Sequence, residues 1–245
     1  MVESKSGSRD LKFPVHRMIN AGYVGRNQED VRKHVEELKR EGIPAPDSTP
    51  TVYPVMTSMI TMADSIEVVG DRTSGEGEFV LFMDGHDTYV GVGSDHTDRE
   101  LEAVSILKSK QLCFNVVSRR VWPFQETKDH WDELLLKSWV KEAGEKVLYQ
   151  ETFLSAILTP SDLIDFVKSK IVDGKLDSTI IFSGTVALIT PEINYGDYFE
   201  VALEDPFMNR SLSCSYSVER LAYLKAYGGL SNACGYDSDG NGRPQ

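Results

Sequence analysis

The sequence predicts an α+β fold that is mainly β, with a few helices at the periphery. The first observation is a continuous apolar run, Phe79 to Met83, with high strand propensity. The second is the hairpin turn signal Asp84-Gly85, which a returning strand over residues 88–93 follows. The third is that residues 178–189 and 198–203 also read as strands, so strands dominate the chain.

Three helices are predicted outside these strands. Asn27 is a suitable N-cap for the first, and Gly42 suits its end. The second spans about 129–143. The third covers 160–170, with Thr159 as its N-cap. The core residues expected in the second helix are Trp131, Leu134, Leu135 and Trp139.

We expect one domain over residues 16–225. An N-terminal arm over 1–15 precedes it, and the first ten residues are polar and predicted to be loose. A tail over 226–245 is rich in turn-forming residues and is predicted to be flexible. Within the domain, four prolines between positions 43 and 54 predict an extended loop.

The composition indicates an acidic globular protein. The chain of 245 residues has a formal net charge of -12 at pH 7, and a field of that sign repels the phosphates of nucleic acid. Three widely spaced cysteines fit neither a disulfide framework nor a zinc site. The N-terminus lacks the apolar run of a signal peptide, and no segment has the ~20 apolar residues that span a bilayer. We therefore expect a cytoplasmic protein that binds neither nucleic acid nor membranes.

Two glutamates lie just before the apolar run and project to the same side of the chain. Glu76 and Glu78 alternate with glycines, and residues two apart in a strand share a face. If a four-residue loop closes the hairpin, Met83 pairs with Thr88, and the same register places Glu76 opposite Asp95. A two-residue loop would shift the partner by two positions and keep the face. The pairing therefore brings three carboxylates together.

Three neighbouring carboxylates repel one another unless a cation joins them. Ligation by oxygen alone suits a hard divalent cation such as Mg²⁺, Mn²⁺ or Ca²⁺. The alternative interpretation is that Glu76 and Glu78 form the solvent-facing side of an edge strand, because the E-x-E pattern is common. The flanking glycines and the register of Asp95 support the metal site, and both interpretations stay open at this point.

Five short segments, in the same order, resemble motifs of the fumarylacetoacetate hydrolase family. Residues 94–101 resemble its N-D-V-T-A-R-D-L segment, which follows an E-x-E pair in that family. Residues 25–37 resemble its G-R-N-Y-x-x-H-x-x-E segment. The other three are Ser109-Lys110-Gln111, which resembles K-S-F, Phe182-Ser183-Gly184-Thr185, which resembles T-G-T-P, and Gly196-Asp197, which resembles a later G-D. The resemblance covers roughly residues 20–215.

The resemblance implies a fold, a metal site and a class of reaction. The fold is the family's mixed β-sandwich roll, and the protein is expected to be a homodimer. The metal, usually Mg²⁺, is bound by Glu76, Glu78 and Asp95, which are the residues that the hairpin register selects. The implied reaction is hydrolysis of a carbon–carbon bond in a β-dicarbonyl or 2-oxo acid such as an acylpyruvate, with the metal as Lewis acid.

The resemblance also implies three catalytic residues. Glu37 orients His34, which deprotonates the attacking water, and Lys110 stabilises the leaving enolate. From the residues alone, His34 and Glu37 are also an ordinary pair on a helix surface, three positions apart. Lys108 is a neighbouring candidate for the role of Lys110.

Five further residues are expected at the substrate, on the same grounds. They are Arg26, Asn27, Arg99, Glu102 and Thr185. From the residues alone, Asn27 is also accounted for as a helix cap, and Arg99 is also able to pair with Glu102.

The chain departs from the family pattern at several positions. Gln28 stands where the family usually has Tyr, Val186 replaces its Pro, and His34 follows Asn27 by seven positions rather than four. Glu102 stands where many members have a Gln that helps to orient the reactive water. The alternative reactions are therefore decarboxylation, isomerisation or hydration by the same metal–enolate chemistry. A non-catalytic metal-binding protein of the same fold is the remaining alternative.

Overall fold

The computed structural model describes residues 1–40, 46, 48–142, 144–190 and 192–223, without the side chains of residues 34, 37–40 and 142. The helices are α1 (Gln28–Arg40), α2 (Arg99–Glu102), α3 (Ile106–Ser109) and α4 (Pro160–Lys170). The strands are β1 (Val2–Ser4), β2 (Gly7–Arg9), β3 (Arg17–Gly22), β4 (Thr51–Val55), β5 (Ile60–Thr61), β6 (Ser65–Val68), β7 (Thr73–Ser74), β8 (Gly77–Asp84), β9 (Asp87–Asp95), β10 (Thr97–Asp98), β11 (Asn115–Val117), β12 (Trp122–Pro123), β13 (Leu135–Glu142), β14 (Glu145–Phe153), β15 (Thr179–Phe182), β16 (Tyr198–Asp205) and β17 (Arg210–Arg220).

Two mixed sheets form the body of the protein. The larger has the strand order β4-β3-β15-β8-β9-β11-β5, and β12 also pairs with β9. The smaller has the order β14-β13-β16-β17-β6. Most pairs are antiparallel, whereas β3–β15, β11–β5 and β17–β6 are parallel. This arrangement confirms the predicted mainly β fold with a few helices.

The main core lies between the two sheets. Phe79 and Leu81 of β8 belong to the same apolar cluster as Leu136 of β13 and Leu203 of β16. A second cluster covers the other face of β8, where Phe13 packs edge-on against Phe82. Apolar side chains therefore cover both faces of β8, which explains why its sequence is a continuous apolar run rather than an alternating one.

The strand directions bring four chain segments to one edge of the larger sheet. Strand β8 begins at this edge, and the antiparallel strands β9 and β15 end there. Strand β3 runs parallel to β15 and ends there too. The residues just before β8, the end of β9, and the residues just after β15 and β3 are consequently neighbours.

The predicted hairpin register is confirmed. Met83 pairs with Thr88, and the pairing continues one step further to Asp84 and Asp87, so the loop is shorter than predicted but the register is unchanged. At the other end, the backbone N–H of Asp95 donates to the carbonyl of Glu76 at 3.2 Å.

Two of the predicted helices are confirmed. The Asn27 side chain accepts from the backbone N–H of Glu29 at 3.2 Å and caps α1. Thr159 accepts from the backbone N–H of Asp162 at 3.2 Å and caps α4. The predicted stop at Gly42 lies outside the described residues. None of the helices in the described part of the chain combines the length and apolar character needed to cross a bilayer.

Two segments predicted to lack regular structure contain strands. The first residues form the β1–β2 hairpin, and Val2 is buried in the second apolar cluster. The backbone N–H of Glu3 donates to the carbonyl of Val121 at 2.9 Å. This pairing spans more than a hundred residues, so a local pattern does not reveal it. The proline-rich loop includes β4, where Pro54 is tolerated because β4 is an edge strand. The proposed tail, 226–245, lies outside the described residues, and the domain boundaries stay predictions.

The predicted helix over residues 129–143 is wrong. Residues Lys128–Glu133 form 3₁₀ turns, and β13 follows them. Hydrogen bonds to β14 on one side and β16 on the other satisfy the backbone of β13, and the local sequence does not show these partners. Burial alternates along the segment, with Leu134, Leu136, Ser138 and Val140 buried and the residues between them partly exposed. Trp131 and Leu134 are core residues as predicted, but Leu135 and Trp139 are only half-buried.

We expect Leu136→Ala to lower the free energy of unfolding by about 2–5 kcal/mol, because it leaves a cavity in a fully buried position. Leu135→Ala is the matched control, and we expect a cost of about 1 kcal/mol because this neighbour is half-buried. Urea unfolding measures both values. A larger cost at Leu135 than at Leu136 would contradict the strand and support a helix.

Candidate metal and substrate site

Three acidic side chains meet at the shared edge of the larger sheet. Glu76 precedes β8, Glu78 is its second residue, and Asp95 ends β9. One carboxylate oxygen from each lies within 4.8 Å of the other two. Glu78 and Asp95 are buried, and the Glu76 side chain is only 12% exposed. These are the three residues that the hairpin register brings together.

Two cations contact this cluster. The Nζ of Lys110 lies 3.3 Å from Oε2 of Glu76 and forms a close ion pair with Asp95. The guanidinium of Arg99 lies 2.8 Å from Glu76 and 2.8 Å from Glu102. Lys110 is buried, whereas Lys108 is exposed, so Lys110 is the lysine that faces the cluster.

Burial and neighbouring charges shift the pKa values of the three carboxyls in different directions. Burial, together with Asp95 and Glu76, raises the pKa of Glu78 well above its usual value. Burial also raises the pKa of Asp95, although Lys110 opposes it. For Glu76, burial is outweighed by Lys110 and Arg99, which lower its pKa to about 2.

The charges within the cluster do not balance. Glu76, Glu78, Asp95 and Glu102 supply four carboxylates, and Arg99 and Lys110 supply two cations. When all are ionised, two negative charges remain in a mostly buried volume, where uncompensated charge is costly. A divalent cation would supply the missing charge.

The donor atoms also suit a hard divalent cation. All three carboxylates offer oxygen atoms within 4.8 Å of one another, and oxygen is the ligand that such a cation prefers. The residues present therefore fit a Mg²⁺-type ion. Glu76, Glu78 and Asp95 are the side chains that would hold it.

Glycines allow the surrounding backbone to come close to the carboxylates. The backbone N–H of Gly184, which follows β15, donates to Oε2 of Glu78 at 2.7 Å. Gly184 has a φ of +87°, and a Cβ there would lie 3.0 Å from the carbonyl oxygen of Ala21. A Cβ on Gly75 would lie 2.4 Å from the ring of Phe199. Larger residues at either position would displace the backbone that supports the site.

Gln150 is a residue that the sequence reasoning missed. Its buried amide oxygen accepts from the backbone N–H of Gly77 at 3.0 Å and from Ser138 at 2.7 Å. Its amide nitrogen donates to Thr185 at 2.8 Å and to the carbonyl of Val186 at 2.7 Å. Gly77 lies between the two glutamates, so Gln150 ties that backbone to the segment after β15. A lone glutamine in a strand carries no local signal of this role.

A buried histidine lies behind Asp95. His96 is hydrogen-bonded through Nδ1 to Tyr216 at 3.0 Å and through Nε2 to Thr73 at 2.9 Å. Burial lowers its pKa to about 3, so the ring is neutral. The Tyr216 hydroxyl also bonds Ser94 at 2.8 Å, and Ser94 accepts from the backbone N–H of Glu76 at 3.1 Å. This network connects Ser94 and His96, the two residues that flank Asp95, to the backbone N–H of Glu76.

A cavity of about 190 Å³ opens beside the carboxylates. It is lined by Ala21, Gly22, Tyr23, Tyr53, Glu76, Glu102, Ile106, Lys110 and Thr185. The lining therefore includes Glu76 of the acidic cluster and the buried Lys110. It also includes Glu102 and Thr185, two of the residues predicted to contact substrate. A larger cavity of about 400 Å³ lies elsewhere, against the second apolar cluster, and none of these polar residues lines it.

The structure brings together most, but not all, of the predicted site residues. Lys110, Arg99, Glu102 and Thr185 lie at the cluster or its cavity. Their roles in catalysis or substrate binding stay predictions. The His34 and Glu37 side chains lie outside the described residues, although both positions belong to helix α1.

Arg26 and Asn27 do not line the cavity. The Arg26 guanidinium donates two hydrogen bonds of 2.7 Å to Asp132. Asn27 caps α1 and also donates to Asp30 at 2.6 Å. Both side chains therefore have structural partners, and their predicted contact with substrate has no support from this arrangement.

Comparison with known proteins agrees with the fold. A protein-family model described as "Protein of unknown function (DUF2848)" matches residues 21–216. No curated protein sequence matches the chain. A solved 2-keto-3-deoxy-D-arabinonate dehydratase, complexed with magnesium and 2,5-dioxopentanoate, has 17% identity and a TM-score of 0.60, over 86% of this chain and 74% of that chain.

Two further solved structures are similar. The 5-carboxymethyl-2-hydroxymuconate delta-isomerase from Mycobacterium smegmatis has 16% identity and a TM-score of 0.60, over 85% of this chain and 78% of that chain. The fumarylacetoacetate hydrolase from psychrophilic Exiguobacterium antarcticum has 17% identity and a TM-score of 0.57, over 85% of this chain and 76% of that chain. At these identities the similarity shows a shared fold, and the predicted fumarylacetoacetate hydrolase type of fold is confirmed.

We expect Gln150→Met to weaken divalent-metal binding by about 10- to 100-fold, because it releases the backbone between the two glutamates. Isothermal titration of the folded variant with Mn²⁺ measures the change. Ser138→Ala is the matched control, since it removes one bond to the same amide and leaves the Gly77 contact. Unchanged affinity in a folded Gln150→Met variant would contradict the assigned role.

We expect metal binding to release protons and to strengthen as the pH rises. Because the pKa of Glu78 is raised, its carboxyl stays protonated in a pH range where a glutamate is normally ionised, and a cation must displace that proton. For the same reason, the metal-free protein should lose stability as the pH rises through that range. Titration in two buffers of different ionisation enthalpy measures the protons released. Equal heats in both buffers, or proton release that is undiminished in a Glu78→Gln variant that still binds metal, would contradict this expectation.

Proposed function

The chain belongs to the family described as "Protein of unknown function (DUF2848)", and we propose that it is a divalent-metal-dependent enzyme acting on a β-dicarbonyl or 2-oxo acid. The proposed reaction is hydrolysis of a carbon–carbon bond, as in an acylpyruvate. The observation that carries the proposal is the buried triad of Glu76, Glu78 and Asp95, with its excess negative charge, beside a small polar cavity. The shared fold with metal-dependent enzymes adds support.

The metal, when bound, would act as a Lewis acid that polarises a substrate carbonyl. The chain's own residues would perform the remaining tasks. Lys110 is held by Asp95 and Glu76 at the cavity, where its Nζ is placed to stabilise negative charge on the leaving enolate oxygen. Burial opposes charge on this lysine, but the carboxylates outweigh it and raise its pKa, so Nζ stays protonated.

The hydrolytic step requires a base and a water. We assign the base to Nε2 or Nδ1 of His34, oriented by Glu37, which follows it by one helical turn in α1. The histidine removes a proton from water, the water oxygen bonds to the acyl carbonyl carbon, and the carbon–carbon bond breaks. The bonding electrons pass to the leaving 2-oxo acid, which takes up a proton at carbon.

Glu102 favours a second candidate within the same class. Its carboxylate lines the cavity, and Arg99 holds one of its oxygens at 2.8 Å. A carboxylate in this position is able to accept a proton from the carbon next to a polarised carbonyl, which glutamine is not. Decarboxylation, isomerisation or hydration would then replace hydrolysis.

We expect acetylpyruvate to be converted to acetate and pyruvate only in the presence of Mg²⁺ or Mn²⁺. Loss of the absorbance of its enol form measures turnover, and product analysis identifies the bond broken. Glu76→Gln/Glu78→Gln should reduce turnover by more than about 100-fold, because two of the three ligands become neutral. Turnover that is equal in EDTA and in Mg²⁺ would contradict the proposal.

Hydrogen–deuterium exchange at C3 of 2-oxobutyrate separates the two candidates. Metal-dependent exchange that Glu102→Gln abolishes, and that His34→Gln leaves intact, would favour decarboxylation, isomerisation or hydration over hydrolysis. The reverse pattern, with acetylpyruvate turnover lost in His34→Gln, would favour hydrolysis. Metal binding without turnover or exchange in the wild type would favour a non-catalytic metal-binding protein.

We also propose that the protein is a cytoplasmic homodimer. Three large apolar side chains in one short stretch support self-association, since Val104, Leu107 and Leu112 are 79%, 46% and 44% exposed. The absence of a membrane-crossing helix among the described residues is consistent with this location. Nucleic acid and membranes are not proposed as partners.

A further inference from the structure

Two tyrosines line the cavity together with the acidic Glu102. Tyr23 follows β3, and Tyr53 lies in the adjacent edge strand β4. Both rings are half-buried. Neither residue belongs to one of the short motifs on which the family resemblance rests.

The backbone holds Tyr23 in an unusual conformation. Its φ of 57° is left-handed, which a residue with a bulky side chain adopts only when the surroundings impose it. The Gln28 amide stabilises this turn, because its nitrogen donates to the carbonyl of Tyr23 at 3.0 Å and to that of Gly25 at 2.8 Å. Residues held in this way cluster at functional sites. The Tyr23 side chain is therefore a candidate contact for a ligand in the cavity.

The Tyr23 hydroxyl is available to a ligand. No described residue forms a hydrogen bond with it. Burial, with Tyr53 and Glu102 nearby, raises the pKa of Tyr23, so its hydroxyl stays protonated and is able to donate. Glu102 offers a carboxylate as an acceptor in the same cavity. A substrate hydroxyl, which donates and accepts, complements this pair.

The charges in the cavity disfavour a second carboxylate on the substrate. A divalent cation brings the cluster of four carboxylates and two cations to neutrality. Lys110 and Arg99 are both already paired with carboxylates. The described residues that line the cavity include no cation other than Lys110, so none of them is free to pair with a further carboxylate. A second substrate carboxylate would therefore lie unpaired near Glu102.

We propose that this cavity selects short 2-oxo acids with one carboxylate and a hydroxyl group at the far end, and that Tyr23, Tyr53 and Glu102 determine this selection. The inference rests on the proposed function, since the 2-oxo acid group is taken to bind at the metal. The volume of about 190 Å³ equals roughly six water molecules at liquid density, which suits a short acid.

The test compares three probes in the Mg²⁺-loaded full chain by isothermal titration. Pyruvate carries only the 2-oxo acid group. The other two, 5-hydroxy-2-oxopentanoate and 2-oxoglutarate, have the same carbon chain and differ in a terminal hydroxyl or carboxylate. We expect the hydroxy acid to bind about tenfold or more tightly than 2-oxoglutarate, because the second carboxylate lacks a partner.

Single substitutions then identify the selecting residues. Tyr23→Phe and Tyr53→Phe should each lower the affinity for the hydroxy acid by about two- to tenfold, which corresponds to the loss of one neutral hydrogen bond. The affinity for pyruvate should not change. Glu102→Gln should raise the affinity for 2-oxoglutarate relative to that for the hydroxy acid. Tyr198→Phe is the matched control, because its hydroxyl donates to Glu200 and does not line the cavity.

The outcomes separate this inference from the function on which it rests. Pyruvate binding together with equal or tighter binding of 2-oxoglutarate would overturn the selection alone. Equal losses for pyruvate and the hydroxy acid in Tyr23→Phe would also overturn it. If none of the three probes binds in Mg²⁺, the proposed function fails, and the inference fails with it.

Discussion

The site depends on one constraint, which is that the pairing of β8 with β9 brings three acidic side chains together at one edge of the larger sheet. Strand pairing puts Glu76 and Asp95 next to each other, and the two-residue period of the strand puts Glu78 on the same side. Burial makes their repulsion costly, and Lys110 and Arg99 offset only part of it. Neighbouring polar groups compensate part of this negative charge. The backbone N–H of Gly184, which donates to Oε2 of Glu78, is one of them, whereas burial keeps His96 neutral, so this ring offsets none of the charge.

The two sheets cooperate to hold the site. The larger sheet supplies the acidic residues, and the smaller sheet supplies Gln150, whose amide reaches across to Gly77. Tyr216, also from the smaller sheet, bonds both His96 and Ser94. Polar contacts of this kind inside an otherwise apolar interface position the site, because each fully bonded buried group has one favourable arrangement. The packing of the sheets and the geometry of the site are therefore linked.

Local sequence patterns predict some of this arrangement well. The hairpin over β8 and β9 has a continuous apolar run and a turn signal, and its register follows from counting residues. The caps Asn27 and Thr159 are also local signals, because the capping bond joins residues two or three apart. Lys110 and Arg99 were found through resemblance to family motifs, and the structure places both at the acidic cluster.

Other features depend on partners distant in sequence. The apolar residues at 131, 134, 135 and 139 fit a helical stripe, so the local sequence predicts a helix where β13 forms. Its pairing with β14 and β16 imposes the strand period instead. The role of Gln150 depends on its contacts with Gly77 and Thr185, which are separated from it by 73 and 35 positions in the sequence, and no motif marks it. Tyr23 is notable only for its backbone conformation, which a sequence does not display.

The most direct test of the central claim is a count of bound metal ions. Electron paramagnetic resonance of free Mn²⁺, measured during titration of the metal-stripped protein, gives the number of ions bound per chain. The account predicts one ion per chain for the wild type and a large loss of affinity in Asp95→Asn. No bound Mn²⁺ in the folded wild type, or identical binding in Asp95→Asn, would contradict a metal site at these three carboxylates.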